Sequence, residues 1–231
     1  NCLQSRYRPR GALGAIVSHW ICRCGSSFAP SIGGKRLFES LVLSPMKIVL
    51  DTCVLFPTVM REMILGVTAS MAWTPIWSER ILEEWQRSSI KLGATGQAQA
   101  ASEIALLRAA WPDACVAWPS SLEARLWLPD RADCHVLAAA ISGSADVIVT
   151  LNKKDFPRHI LGEEGVDRRD PDALLYMAFT ADPSAVEAVA KRVLSTANRL
   201  SGQERTIRPL LKKARMPKLA KALGATASKE A

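Results

Sequence analysis

The chain has 231 residues, 48% of them apolar and 23% charged, which suits one globular domain of α/β size with additional terminal segments. No stretch approaches the roughly 20 consecutive apolar residues that span a bilayer. The net charge of +8 is uneven: residues 1–45 carry six basic residues against one acid, residues 191–231 carry eleven against two, and residues 46–190 carry thirteen against nineteen. That distribution excludes a uniformly basic protein. An acidic body concentrates cations and a basic tail meets phosphate backbones, with plainly solvated faces as the bland alternative.

Residues 1–45 read as a leader outside the fold, either disordered or upstream sequence not native to the protein, because coherent local signals begin at Met46. Three arginines before Gly11–Cys22 only loosely imitate a secretory signal, since Ser18, His19 and Trp20 interrupt the apolar stretch. The six cysteines (2, 22, 24, 53, 115, 134) lack paired zinc spacing. Cys53, Cys115 and Cys134 fall in apolar runs, where a free thiol behaves as a small hydrophobe. This usage predicts a reducing, cytoplasmic compartment with no disulfide framework.

From Met46 the elements follow in order. Lys47–Leu50 is a strand ending at Asp51. Thr58–Met71 is a helix with Met60, Met63, Ile64 and Val67 on one stripe. Ala72–Ile76 is a second strand. Ser78 is an N-cap opening a helix with Ile81, Leu82 and Trp85 on its apolar face. Gly93–Gly96 breaks the chain before a helix over Gln97–Ala110. Cys115–Trp118 is a third strand, and Pro119 and Pro129 bracket a loop. Asp133–Ser142 is an alanine-rich helix and Val147–Leu151 a fully buried strand. A short edge strand begins at Val166. Helices span 172–180 and 184–200, followed by a basic tail of short helical pieces punctuated by Pro209 and Pro217. Alternating strands and helices predict an α/β class with a parallel sheet covered on both faces.

Asp51 poses the chemical question. A buried carboxylate costs several kcal/mol unless it is paired or coordinates a metal. Open parallel sheets hold ligands at the C-terminal ends of their strands. Asp51 lies there, as do Asn152 and Asp155 after "VIVTL". Asp133 opens the preceding helix, Asp130 lies one turn earlier, and Glu83 or Glu84 comes from the helix after the second strand. Oxygen donors from separate segments suit Mg²⁺ or Mn²⁺, which activate water in phosphodiester hydrolysis. Taken singly, Asp133 also suits a helix N-terminus, Asp155 a helix cap, Asp130 a turn, and Glu83 and Glu84 a solvated surface. Asp51 has no such cap or turn role. His135 reads as a packed helix residue and not as a ligand, and Asp146 belongs at the opposite edge of the sheet.

The blocks "MKIVLDTCVL", "SERILEEWQR" and "LPDRADCHVLAAAISGSADVIVTLNKKDFP" resemble those of PIN-domain proteins, and in particular the ribonuclease toxins of VapBC-type toxin–antitoxin modules. The resemblance covers about residues 46–160, and the tail "LLKKARMPKLAKAL" is similar to a C-terminal extension in some of these toxins. It implies a three-layer α/β/α sandwich, with a PIN-like nuclease domain over 46–170 and a helical basic extension over 171–231. It implies an acidic, metal-dependent endoribonuclease site holding Mg²⁺ or Mn²⁺ through Asp51, Glu84, Asp133 and Asp155, assisted by Thr52, Asn152 and Asp130. Glu84 is preferred to Glu83 because it directly precedes Trp85 and lies nearer the buried face. The implied partners are RNA, a cognate antitoxin and a second copy in a homodimer, the last with no independent signal in the sequence. Lys153, Lys154, Lys212, Lys213, Arg215, Lys218 and Lys221 are candidate RNA contacts. A non-catalytic RNA- or protein-binding domain on the same fold is the alternative. An aspartyl-phosphate phosphatase reading of "VLDTCVL" is weak, since Cys53 stands where the second aspartate is needed.

Overall fold

The computed structural model describes residues 45–227, so the expectation for the leader lies outside the described residues. Four parallel strands form the sheet: β1 (Lys47–Leu50), β2 (Thr74–Ile76), β3 (Val147–Val149) and β4 (Asp167–Arg169), in the order β2-β1-β3-β4. Eleven helices accompany them among the described residues. Those before β4 are α1 (Thr52–Leu55), α2 (Thr58–Ser70), α3 (Glu79–Ser89), α4 (Gly93–Ala110), α5 (Ser120–Arg125), α6 (Cys134–Ser142) and α7 (Arg158–Glu163). Those after it are α8 (Pro171–Ala181), α9 (Pro183–Ser201), α10 (Ile207–Lys213) and α11 (Pro217–Ala227). The result is a PIN-like α/β/α sandwich with C-terminal helices, as expected. No helix among the described residues is long and apolar enough to cross a membrane.

The apolar run Ile48–Leu50 is fully buried because β1 pairs on both sides, Val49 with Ile76 and Leu50 with Val149. The chain turns one way from β1 to β2 and the other way to β3 and β4. The resulting crevice lies beyond the carboxyl ends of β1 and β3. α3 docks through Ile81, Leu82 and Trp85, all buried, each worth roughly 1.5–3 kcal/mol of removed apolar surface. The Ser78 side chain caps this helix, accepting from Ile81 N–H at 3.3 Å.

Arg61, only 3% exposed, ties the elements beneath the crevice together. Its guanidinium donates to Leu55 O at 2.7 Å and to Glu103 Oε2 at 2.8 Å, and it lies 4.6 Å from the centroid of the Trp85 ring. α1, α2, α3 and α4 are joined through one cation. The C-terminal helices are not a loose tail. α8 and α9 pack on α2, and the buried Asp172 carboxylate accepts from Lys218 N–H at 2.8 Å and Leu219 N–H at 3.0 Å, capping α11.

Several expectations need correction. Cys115–Trp118 is not a strand: Cys115 makes a single bridge to Trp77. The Pro119–Pro129 stretch contains α5. The break before α4 is Gly93 alone, with φ of 76°, where its lack of Cβ suits the left-handed side. The predicted fourth strand stops at Val149, two residues early. Cys115 is exposed, its thiol turned to Glu79 Oε1 at 3.3 Å, so it is not a core residue.

Candidate active site

β1 delivers Asp51 to the crevice, 8% exposed, with its N–H bonded to Val149 O at 3.2 Å. Asp51 does occupy an N-cap position, that of α1, which the sequence reading denied it. Its side chain nevertheless makes no capping bond. Oδ2 instead accepts from the Thr150 hydroxyl at 2.6 Å and the Cys53 thiol at 3.0 Å. Burial first, then the charge of Asp51, pushes the Cys53 thiol well up, so it stays a donor.

Asp133 closes a 3₁₀ turn at Arg131–Asp133 and stands at the N-cap of α6, again with no capping bond. Asp155 likewise caps nothing, since α7 begins after Pro157. Asp130 plays both parts: its Oδ1 accepts from Ala132 N–H at 2.8 Å, a turn bond, yet it also stands beside the other two acids. One oxygen from each of Asp130, Asp133 and Asp155 lies within 4.8 Å of the others. Asn152 Nδ2 donates to Asp155 Oδ2 and, at 3.4 Å, to Asp133 Oδ2. Arg168 on β4 donates to the Lys153 and Phe156 carbonyls and braces the turn that presents Asp155. Asp133 is pushed up to about 7, by burial first and then by the charges of Asp51, Asp130 and Asp155. Like charges crowd here, offset only in part by the nearby His135 ring, and none of these four acids makes an ion pair among the described residues.

Glu84 stands apart from that triad. Its Oε2 accepts from the Thr52 hydroxyl at 3.1 Å, and its Oε1 lies 2.9 Å from His135 Nε2. Arg80 and Arg87 each approach it to 4.0 Å. Burial pushes its carboxyl up, but the His135 contact, the Thr52 hydroxyl and Arg80 together hold it below the usual range. Glu83 is exposed, so Glu84 is the acid that faces the crevice. Thr52 flanks Asp51 and His135 is two residues from Asp133, so Glu84 borders the cluster through its contacts.

Lys153 reaches Asp170 Oδ2 at 3.5 Å, and Lys154 is exposed. Lys212, Lys213, Arg215, Lys218 and Lys221 are exposed on or beside α10 and α11. Asp146, as expected, sits at the other edge, bonded to Lys47 N–H at 2.7 Å. The sequence reading missed three members of the site. Thr150 carried a weak signal, as the lone hydroxyl ending an apolar strand. Cys53 and the reach of His135 to Glu84 carried none.

An acidic crevice thus lies at the switch point of a parallel sheet. Residues 47–154 match the family model described as PIN domain, which supports a PIN domain over that segment, in a family generally of nucleases. Neither a curated protein nor a solved structure matches the chain.

Proposed function

We propose that the protein is a metal-dependent endoribonuclease, the toxin of a toxin–antitoxin pair. The observation that carries this reading is the triad Asp130, Asp133 and Asp155, with Asp51 close enough to raise Asp133. The donor set fits a hard divalent cation: all carboxylate oxygens, brought together from the Asp130–Asp133 turn and the turn carrying Asp155, with no Lys or Arg ion pair among the described residues. A proton on Asp133 relieves the repulsion when no cation is present, and a cation relieves it better.

Asp130, Asp133 and Asp155 would hold Mg²⁺ or Mn²⁺, with Asp51 and Glu84 beside them. When bound, the ion supplies a water of lowered pKa and neutralises charge on the scissile phosphate. The chain's own residues do the arranging. Thr150 and Cys53 fix Asp51, Asn152 turns Asp155 toward Asp133, and Thr52 and His135 fix Glu84. The exposed cations of α10 and α11, with Lys154 at the rim, supply the electrostatic grip on RNA. An antitoxin would cover the acidic crevice or offer it a basic side chain.

The test is cleavage of single-stranded RNA with Mg²⁺ or Mn²⁺ by wild type and by Asp51→Ala. Activity confined to wild type supports the assignment, and equal activity in both overturns it. Binding of metal and RNA without any cleavage would leave a binding module on the same fold. For the toxin role, expression in bacteria should arrest growth with Asp133 intact and not with Asp133→Ala.

A further inference from the structure

A cleft of about 300 Å³ opens between the Arg125–Trp127 segment and α7. Two of its walls follow, along the chain, from the segments that carry Asp133 and Asp155. Leu137 lies on α6, four residues after Asp133, about 6 Å along a helix axis. His159 and Ile160 stand four and five residues after Asp155, beyond Phe156 and Pro157. The Arg125–Trp127 segment is tied to the start of α6 by the Cys134 thiol, which donates to Leu126 O at 3.8 Å.

At the mouth of the cleft stands Trp127, 58% exposed. Its neighbours Leu126 and Leu128 are buried at 3% and 0%, so the backbone is anchored on both sides and the indole is held outward. An aromatic ring fixed in water beside a concavity is the platform on which single-stranded nucleic acids stack their bases. The carboxylates of the cleft, which is also lined by His159, disfavour the phosphate backbone. Glu163 is exposed and makes no ion pair among the described residues, while Arg125 is already spent in a fork on both Glu164 oxygens, at 2.6 and 2.9 Å. A free carboxylate repels a phosphate and accepts from an exocyclic amine. The volume lies at the bottom of the ligand-pocket range, suited to a single ring system.

We propose that this cleft takes one unpaired, amine-bearing base of the RNA strand, stacked on Trp127 and hydrogen-bonded to Glu163. This rests on the nuclease reading and adds the strand's base contact. The test uses the full chain in EDTA, where no cleavage occurs, with labelled single-stranded oligonucleotides followed by anisotropy. Trp127→Ala should weaken binding about 5- to 100-fold, while Trp127→Phe should keep most of the affinity. An abasic site walked along the oligonucleotide should cost wild type a similar factor at one position and cost Trp127→Ala nothing there. Glu163→Gln should reduce the preference for adenine, cytosine or guanine over uracil at that position. If wild type binds and cleaves RNA with Asp51 required, yet Trp127→Ala binds as wild type or the two abasic series coincide, the base assignment alone is overturned. An indole serving a protein partner would give that result. If wild type binds no RNA, both readings fall together.

Discussion

Replacing Asp133 by asparagine should stabilise the metal-free protein while removing its response to metal. An ordinary aspartate titrates at 3.8, and in the fold Asp133 is pushed up to about 7. Its raised value means that the native state binds the proton more tightly than the unfolded chain does. Stability therefore falls as pH rises from about 4 to about 7, and the deficit is complete above 7. Three units would be roughly 4 kcal/mol at full strength, but Asp133 is only half-buried, and solvent screening reduces this to about 1–2 kcal/mol. For a chain of this size that is about 2–8 °C in Tm. Thermal unfolding in EDTA should place Asp133→Asn above wild type near pH 8, with the gap closing toward pH 4. Adding Mn²⁺ near pH 8 should raise wild type and leave the variant still. A variant less stable than wild type in EDTA near pH 8, or a gap independent of pH, would refute the picture of crowded, uncompensated carboxylates.

Other perturbations separate scaffold from site. Arg61→Ala leaves the buried Glu103 with Gln99 but without its cation, and should cost about 3–5 kcal/mol in urea unfolding. Asp172→Ala removes a buried cap accepting two N–H bonds and should cost about 1–2 kcal/mol, with faster proteolysis of the residues after 200. Thr52→Val deletes the hydroxyl shared between Glu84 and the Ile81 carbonyl, and should lower kcat for RNA cleavage about tenfold while costing only about 1 kcal/mol of stability. Arg168→Ala releases the turn carrying Asp155 and should weaken Mn²⁺ affinity in calorimetry by about tenfold.

The strand leading to Asp51 was legible because a central parallel strand must be apolar on both faces, and Ile48–Leu50 can lie nowhere else. Glu84 was legible because helix periodicity set it against Ile81, Leu82 and Trp85. Cys115–Trp118 misled because its β-rich composition says nothing about pairing. Only Trp77 reaches it, through two backbone bonds to Ala114 and Val116, and Pro119 follows at once without an N–H. His135 was legible as a buried residue, but its approach to Glu84 spans 51 positions and depends on how α3 and α6 pack. Asp130 shows that turn chemistry and site membership are not exclusive: one oxygen closes the turn and the residue still borders the cluster.

Crystals grown without metal and then soaked in Mn²⁺ offer the most direct measurement, because anomalous scattering locates the ion without reference to activity. The peak is expected between the carboxylates of Asp130, Asp133 and Asp155, and it should vanish in Asp155→Asn. A saturating soak that leaves this position empty would contradict a cation site at the carboxyl rim of the sheet, and a peak that persists in Asp155→Asn would remove Asp155 from its ligands.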